Sequence, residues 1–523
     1  MIFVFSSSAF RLERSLVSAA LKRSVSSSQV REIEGETWKE GMMDASLLVV
    51  IHPTEAIAQN LLDWKEKQAR KLILLGKLPP LLMRHFNIQE FRWPTHFEAA
   101  SRSLPAPSQA YAESLARIEY RPFKALKMND WSRPLERFDF MDEWNNLGYG
   151  AVKSEGSWGV SLSAKAPEET VLASICMGEE DCASYVAIFE ETFSATLWFN
   201  RSVGPIDSYE WRLIEYFLSS LGSGKLPCQP VLQEIPWGYE AAVTMRLDCD
   251  EDVESARPLW RLYQEEKIPF SLAVHTANLI HPRNHLILKE MQIAGESILS
   301  HTATHAPNWG GSYEAALREG KESADRIEAV TGIRPRYAVS PFHQSPDYAL
   351  KALADLGYEG CIGGIIRNDP EFLLARGGVL FNLPQGFIGH SQQCMLHGEC
   401  LLAEGDPLRI YKAAFDRAFE TRTLFGYLDH PFSERYQYGW KDEAQRVQAH
   451  RSLLDHIRAR APKSIFLSEN QAMDFLKMKS ACEINEKDGC FYVELPEISE
   501  GRFSLALEYQ GQVFEAQQGK VRT

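Results

Sequence analysis

Long apolar runs are missing from this sequence of 523 residues. The first apolar stretch ends after five residues, at Ser6, and Arg11 and Arg14 follow soon after it. A secretory signal peptide needs roughly 7–15 consecutive apolar residues, and a membrane-spanning helix needs about 20. We therefore predict a cytoplasmic protein without a membrane span, although a chain already cleaved from a signal peptide would begin in the same way.

Clustered cysteines and clustered basic residues are also scarce. The nine cysteines include no CxxC pair, which excludes a zinc-ribbon spacing, and in a chain of this size we expect them to be reduced and mostly buried. The formal net charge is −14, and no long basic run offsets it. Because phosphate contacts need clustered lysine and arginine, the sequence predicts no nucleic-acid partner. It makes no prediction of the oligomeric state.

The length is too great for one ordinary hydrophobic core and predicts two or three domains. Within residues 1–230, apolar runs at 46–51 and 71–75 have the length of strands, and a helix-like segment separates them. Because strands alternate with helices over residues 1–90, we expect a parallel sheet there. The phosphate-binding patterns GxGxxG and GxxxxGK are missing here. We predict a Rossmann-like or flavodoxin-like α/β module at 1–230 that is not catalytic.

Residues 236–477 repeat a rhythm of strand and helix. The expected strands lie at 242–247, 270–275, 297–300, 337–340, 360–363, 379–382, 424–428 and 465–467. Seven or eight such units predict a closed or nearly closed (β/α) barrel, in which chemistry takes place at the carboxyl ends of the strands. Residues 478–523 alternate in the manner of strands, so we expect a small β-rich appendage there.

Two carboxylates follow the first predicted barrel strand. Asp248 and Asp250 are two positions apart, so in extended backbone they share one face. Paired carboxylates at a strand end suit a site in which one binds a metal and the other acts as a base. A solvated acidic turn, with Asp252 as the N-cap of the next helix, is the structural alternative for the same residues.

Histidines gather in the same part of the chain, since nine of the fourteen lie between His275 and His430. His301 and His305 follow a predicted strand, and two histidines four residues apart can bind one metal ion. Together with one aspartate they would form a set of three ligands that leaves positions open for water and substrate. His430 follows the last but one of the predicted strands, although a lone histidine there is more often structural than catalytic.

In this order the motifs resemble those of the NodB-type polysaccharide deacetylases, carbohydrate esterase family 4. The segment GESILSHTATH, residues 295–305, matches the family's spacing from glycine to the two histidines, and Leu428-Asp429-His430 matches its late L-x-H motif. The resemblance covers roughly residues 240–470. It implies a NodB-like barrel. It also implies the hydrolysis of an N-acyl group, with acetyl as the expected group, on an amino sugar of a polysaccharide, oligosaccharide or glycan precursor.

The resemblance also implies a role for each motif residue. A divalent cation, with zinc as the expected ion, would be bound by Asp250, His301 and His305. Asp248 would accept a proton from the attacking water, and His430 would protonate the leaving amine. The substrate, and so the expected partner, would be a carbohydrate.

The chain departs from the family's motifs in two places. Cys249 separates two aspartates that are usually adjacent, so either Cys249 or Asp250 could fill the metal position, and Asp250 is our prediction. Val-Ser-Pro-Phe, residues 339–342, stands where the family has arginine, any residue, proline and an aromatic residue. The arginine that normally supports the base is missing there, and Arg246 or Arg336 could replace it.

Residues near the motifs are candidates for substrate contacts. The backbone N–H of Phe342 could stabilise an oxyanion, and His343 next to it faces either the site or the surface. Trp309 could stack on a sugar ring, and so could three further aromatic residues beyond the histidine motifs, Tyr436, Tyr438 and Trp440. Ordinary packing is the alternative for each of them. Asn368-Asp369 is a weak candidate for the family's aspartate–tryptophan motif.

Two other functions fit the same residues. The first keeps the metal site but hydrolyses a non-sugar amide, because the altered arginine motif would accompany a different pocket. The second is a degenerate barrel that binds glycan or partner proteins without catalysis. Metal content separates them: one tightly bound divalent ion per chain favours either enzyme, and none after metal repletion favours binding alone.

Overall fold

The computed structural model describes residues 1–101, 116–135, 137–138, 150–151, 156–363, 376–380, 382–392, 394–433, 437–497 and 503–521. Three residues named above, Asn368, Asp369 and Tyr436, lie outside these ranges. The described chain forms an α/β structure with two large sheets and several small ones. Each helix in these ranges is too short or too polar to cross a lipid bilayer.

The first large sheet and its helices come from the amino-terminal part of the chain. The strands of this part are β1 (Ile2–Ser6), β2 (Val30–Glu34), β3 (Leu47–Ile51), β4 (Arg70–Leu75), β5 (Gln89–Glu90), β6 (Ala116–Tyr120), β7 (Trp131–Pro134), β8 (Arg137–Phe138), β9 (Gly150–Ala151), β10 (Ala164–Lys165), β11 (Val171–Met177), β12 (Glu180–Glu190) and β13 (Ser194–Phe199). Its helices are α1 (Arg11–Leu21), α2 (Glu55–Lys67), α3 (Pro80–His85), α4 (Phe97–Ser101) and α5 (Ser208–Ser219).

This first sheet has nine strands in the order β2-β1-β3-β4-β13-β12-β11-β6-β7. From β2 to β13 neighbouring strands are parallel, and β3 is buried along its whole length, as expected for a strand covered on both faces. From β13 to β7 they are antiparallel. The strands β1 to β4, on which the prediction of a parallel sheet is based, are parallel, whereas the strands after residue 115 add an antiparallel half in which the two residues between β11 and β12 form a hairpin. The Rossmann-like assignment stays a prediction.

The second large sheet and its helices follow. The strands of this part are β14 (Val231–Leu232), β15 (Ala241–Cys249), β16 (Ser271–Val274), β17 (Ser297–Ser300), β18 (Tyr337–Val339), β19 (Gly360–Gly363), β20 (Gly378–Val379), β21 (Ile388–Ser391), β22 (Cys394–Met395), β23 (Phe425–Asp429) and β24 (Ser464–Leu467). Its helices are α6 (Arg257–Glu265), α7 (His285–Ile293), α8 (Tyr313–Thr331), α9 (Asp347–Asp355), α10 (Arg409–Glu420), α11 (Glu443–Arg460) and α12 (Glu469–Ala481).

Eight strands of this second sheet are parallel, in the order β21-β19-β18-β17-β16-β15-β23-β22. The amino-terminal half of β15 also pairs with β24, and β20 pairs with β21 in the antiparallel sense. Only two residues of chain separate β21 from β22, so the first and the last of these eight parallel strands lie within roughly 11 Å of each other. The sheet is therefore strongly curved, and a fully closed barrel stays a prediction.

The predicted barrel strands agree with β15 to β19, β23 and β24 to within a few residues. The strand predicted at 379–382 is reduced to β20, and β21 and β22 were not predicted. His390 and Ser391 interrupt the apolar pattern of β21, and β22 has only two residues. Hydrophobic patterning therefore finds the long apolar strands and misses short polar ones.

The carboxyl-terminal strands, β25 (Glu483–Lys487), β26 (Cys490–Glu494), β27 (Ala506–Tyr509), β28 (Gln512–Glu515) and β29 (Gly519–Lys520), form two small antiparallel sheets. One of these sheets includes β14, which pairs with β27. Buried ion pairs join the parts of the chain: Glu215 of α5 pairs with Arg376, and Arg212 of the same helix pairs with Glu508 of β27. The domain boundaries near 230 and 477 stay a prediction.

Lys71 of β4 is a buried cation with no acidic partner in the described part of the chain. Its Nζ lies 3.4 Å from the carbonyl oxygen of Leu218 and 3.5 Å from the sulfur of Cys228. Burial lowers the pKa of Lys71 to about 8, whereas an unfolded lysine titrates at about 10.4. Between these values the unfolded chain binds more protons, so the free energy of unfolding rises with pH over that window.

We expect Lys71→Met to raise the free energy of unfolding at pH 7 by about 2 kcal/mol, because a desolvated charge is removed. The difference between variant and wild type should narrow between pH 8 and pH 10, as the folded wild-type lysine loses its proton. Urea unfolding at several pH values measures both effects. Lys351→Met is the control, since Lys351 is exposed and paired with Asp355. A difference that stays constant from pH 7 to pH 10 would contradict the prediction.

Candidate active site

Strand β15 sorts its side chains onto two faces. Leu247 and Cys249 point into the hydrophobic core, whereas Arg246 and Asp248 point toward the inside of the curved sheet. Cys249 is fully buried, and burial raises the pKa of its thiol well above the usual range, with Asp250 adding to the shift. Cys249 therefore lies away from the histidines, and of the two residues considered for the metal position it is Asp250 that contacts them.

The structure brings together the three predicted metal ligands. Oδ1 of Asp250 lies 3.4 Å from Nε2 of His301 and 3.3 Å from Nε2 of His305, and the two imidazole nitrogens are 3.1 Å apart. The backbone at Thr302 and His305 has positive φ angles of 64° and 53°, and the Thr302 hydroxyl accepts the His305 N–H. This turn after β17 points both imidazoles at the same carboxylate oxygen.

The residues of this cluster fit a divalent cation. Nδ1 of His301 donates to the carbonyl oxygen of Val339 at 3.1 Å, which leaves its Nε2 lone pair facing Asp250. Burial, with His301 beside it, lowers the pKa of His305 to about 3, so that imidazole is neutral as well. Oδ1 of Asp250 is buried and has no hydrogen-bond partner in the part of the chain that the structure describes. Two nitrogens and one oxygen with free lone pairs, all within 4.8 Å, form a donor set that suits zinc.

A proton competes with a cation at this cluster. Burial alone would lower the pKa of His301, but the carboxylates of Asp248 and Asp250 outweigh it and raise that pKa. Burial would likewise raise the pKa of Asp250, but the hydrogen bond that His301 donates when its Nε2 is protonated, together with the nearby His430 and His305, lowers it. Binding of a cation is therefore coupled to the release of a proton from His301.

Arg246 supports the carboxylate predicted to be the base. Its Nε and Nη2 donate to the two oxygens of Asp248 at 2.5 and 2.9 Å, and both side chains are buried. Burial on its own would raise the pKa of Asp248, but Arg246 overcomes it and the pKa falls to about 2. Arg336, the other candidate, is 42% exposed and pairs with Glu359 and Asp474. Arg246 is thus the arginine beside Asp248.

His430 follows β23 and faces the same cluster from the other side. Its Nε2 lies 3.7 Å from Oδ2 of Asp250, and its Nδ1 lies 2.8 Å from Nε2 of His397. The ring of Tyr438 stacks on His430 with centroids 4.3 Å apart, and the Tyr438 hydroxyl donates to Asp250 at 3.2 Å. The imidazole is held on two sides and presents Nε2 to the cluster.

A cavity of about 1000 Å³ is lined by Asp248, Asp250, His301, His305 and His430, whereas the supporting residues Arg246 and His397 do not line it. Phe342 and His343 line it, and Phe342 sits in a tight turn with a φ of 52° and its ring 4.5 Å from that of His305. Tyr438 lines it too. The prediction that Trp309 contacts substrate is wrong: its ring is fully buried, with Nε1 donating to the Gln344 carbonyl at 2.8 Å. Trp440 is likewise buried.

Three histidines in or beside the cavity were not predicted, namely His275, His281 and His397. His275 lines the cavity and donates from Nδ1 to the carbonyl oxygen of Asp250 at 2.9 Å. Its place at the end of a predicted strand was a usable signal. His397 carried none, because the two-residue strand β22 before it has no recognisable pattern.

Comparison with known proteins agrees with the motifs for part of this region. The family model described as polysaccharide deacetylase matches residues 248–361, which begin at Asp248 and end within β19, before His430. The match confirms the resemblance that the motifs indicate. A search of curated proteins finds no match.

Three solved structures illustrate the more distant similarity. The carbohydrate esterase 4 domain of a multidomain xylanase from the hindgut metagenome of Trinervitermes trinervoides has a TM-score of 0.31 at 11% identity, over 45% of this chain and 90% of that one. A family 4 acetyl xylan esterase from Clostridium thermocellum has 0.31 at 10%, over 45% and 90%. A family 4 pseudoenzyme from Bacillus anthracis has 0.30 at 11%, over 46% and 66%. Likenesses this distant carry no weight for the activity of this chain.

We expect metal-free protein to bind about one zinc ion per chain. Substitutions of residues that only support the metal ligands typically weaken metal binding roughly 10- to 100-fold, and we expect Asp250→Asn to weaken zinc binding by more than that. The reason is the loss of an anionic ligand oxygen. Metal analysis after dialysis and a chelator competition titration measure both quantities. Cys249→Ser is the matched control, one residue away and facing the core. Zinc retained by the Asp250 variant but lost from the Cys249 variant would refute this assignment.

Proposed function

We propose that this protein hydrolyses an N-acetyl group on an amino sugar of a polysaccharide, oligosaccharide or glycan precursor. The supporting observation is one cavity in which Asp250, His301 and His305 converge while Asp248 and His430 stand beside them. The three converging residues alone, or Asp248 and His430 alone, would also suit other chemistry. Together they supply a cation site, a base and an acid, which are the three parts that amide hydrolysis needs.

The three converging residues would hold the cation, and zinc is the expected ion. A bound divalent cation supplies Lewis-acid chemistry toward a water molecule and toward the acyl carbonyl group. Asp250 and the two histidines would hold the cation as three protein ligands and would leave it accessible to both. His301 is oriented for this by its bond to Val339.

Asp248 would accept the proton of the attacking water. Arg246 holds both of its oxygens and keeps it ionised, so that it is a carboxylate throughout the neutral pH range. A base of such low pKa is weak, and its contribution lies in a fixed position beside the cluster. The buried ion pair keeps the carboxylate from rotating away.

His430 would donate a proton from Nε2 to the leaving nitrogen. An amine leaves an acyl group poorly unless it is protonated, so an acid near the scissile bond has a large effect. His430 follows β23, whereas Asp248 belongs to β15. A substrate amide bound between them would have Asp248 beside the attacking water and His430 beside the leaving nitrogen.

The cavity walls favour a saccharide. Its volume of about 1000 Å³ is at the upper end of the range for small-molecule pockets, which suits more than one sugar ring. Tyr438 and Phe342 provide aromatic surface, and the backbone N–H of Phe342 would donate to the oxyanion. Burial lowers the pKa of His343 to about 3, so it faces the substrate as a neutral side chain.

The first test measures acetate released from N-acetylated oligosaccharides and from 4-nitrophenyl acetate by zinc-loaded protein. We expect Asp248→Asn to lose activity on both substrates, because both need an activated water. His430→Leu should lose roughly 100-fold or more on the amide and far less on the ester, since nitrophenolate leaves without a proton.

Wild-type protein supplies the reference ratio of amide to ester rates, and zinc content must match in all three proteins. Equal losses on both substrates in the His430 variant would refute its role as acid. Release of acetate only from simple non-sugar amides would favour the amidohydrolase alternative. Full zinc occupancy without any hydrolysis would favour the barrel that binds without catalysis.

The second test concerns Arg246. Arg246→Met removes the positive charge that holds the pKa of Asp248 down, so that pKa should rise. As the pH is lowered, the variant should therefore lose activity at a higher pH than the wild type does. We expect the acid limb of kcat/KM to move up by about one pH unit or more. Arg246→Lys keeps a positive charge beside Asp248, so its acid limb should lie closer to that of the wild type. Arg336→Met is the control, since that arginine pairs with Glu359 at the surface, and an unmoved limb in the Arg246 variant would refute the assignment.

A further inference from the structure

His397 is a buried histidine in direct contact with His430. It is fully buried, with Nε2 2.8 Å from Nδ1 of His430. The ring of Tyr438 packs on both imidazoles, with centroids 4.7 Å from His397 and 4.3 Å from His430. The backbone is fixed too, because the His397 N–H donates to the Tyr411 hydroxyl at 3.2 Å. Neither imidazole can turn without disturbing the other.

The direction of this hydrogen bond follows from what an acid must do. An imidazolium that gives up the proton on Nε2 keeps the proton on Nδ1. The Nδ1–H of His430 is therefore a donor both before and after the transfer, and the nitrogen facing it must be an acceptor. His397 meets this condition only as a neutral ring with its proton on Nδ1.

The surroundings favour that form of His397. Its Nδ1 has no hydrogen-bond partner in the described part of the chain, and the nearest carboxylate oxygen, of Glu399, lies 3.9 Å away. A proton on Nδ1 is attracted to this anion, whereas a lone pair there would be repelled. Burial and the neighbouring His430 lower the pKa of His397 to about 3, so the ring is neutral.

We propose that His397 is a positioning residue, which accepts the Nδ1–H of His430 and thereby aims the Nε2 proton of His430 into the cavity, while Glu399 sets the tautomer of His397. The catalytic part of this inference rests on the proposed function, whereas the direction of the hydrogen bond does not. The competing view is a buried histidine that only fills space beside Tyr438.

The first experiment does not depend on activity. Protein labelled with 15N-histidine, with and without zinc, reports which nitrogen of each imidazole carries a proton, and loss of a signal in His397→Gln assigns it. We expect His397 protonated on Nδ1 and bare on Nε2 at neutral pH. A proton on Nε2 of His397 would overturn the inference, whether or not the protein proves to be a deacetylase.

The second experiment separates positioning from packing. In zinc-loaded His397→Leu we expect kcat on the N-acetyl oligosaccharide to fall roughly 10- to 100-fold with little change in KM, and the rate on 4-nitrophenyl acetate to stay near wild type. His397→Gln should restore most of the loss, because the amide oxygen accepts the same hydrogen bond.

His456→Leu is the matched control, since it removes a histidine that bonds to Asp416 at 2.9 Å, away from the cavity. Equal losses on amide and ester in His397→Leu at full zinc occupancy would overturn the inference in favour of packing. So would an unchanged kcat on the amide. Wild-type protein that releases no acetate at all would instead refute the proposed function, and the tautomer measurement would still stand.

Discussion

A buried carboxylate that needs a positive charge is the constraint on which this site depends. Among the described residues, Oδ1 of Asp250 has no hydrogen-bond partner, and the nitrogens of His301 and His305 that face it carry lone pairs in their neutral forms. Removing an ionised carboxylate from water costs several kcal/mol unless a counter-charge compensates. Either a proton on His301 or a bound cation would satisfy it, and in the proposed mechanism the three ligands would leave a cation accessible to water and substrate.

The second aspartate solves the same problem in another way. Asp248 is also buried, but the positive charge of Arg246 from the same strand compensates its negative charge. Asp248 therefore stays ionised without needing the cation that Asp250, His301 and His305 would bind. Two carboxylates two residues apart thus have different partners, one an arginine and the other a pair of histidines. That difference of surroundings is what assigns one to proton transfer and the other to metal binding in the proposed mechanism.

Hydrophobic and polar patterning predicted much of this arrangement. The apolar runs of β15, β17 and β23 located the strands, and the polar residues directly after them became the candidates for chemistry. The same patterning failed for His397, which follows a two-residue strand, and for Trp309, whose buried position depends on the turn around Gln344. Whether an aromatic ring faces a cavity or a core depends on the neighbouring elements, which local periodicity does not describe.

By itself, the sequence determined which residues could form the site, because alternation along β15 and into the residue after it separates Asp248 and Asp250 from Cys249, and His301 and His305 both follow the same predicted strand. Only the tertiary structure paired Arg336 with Asp474 and so left Arg246 as the partner of Asp248, and only it placed His397 behind His430. The physical reason is range. Side-chain faces follow from a few consecutive residues, whereas contacts across more than thirty residues exist only once the strands have packed side by side.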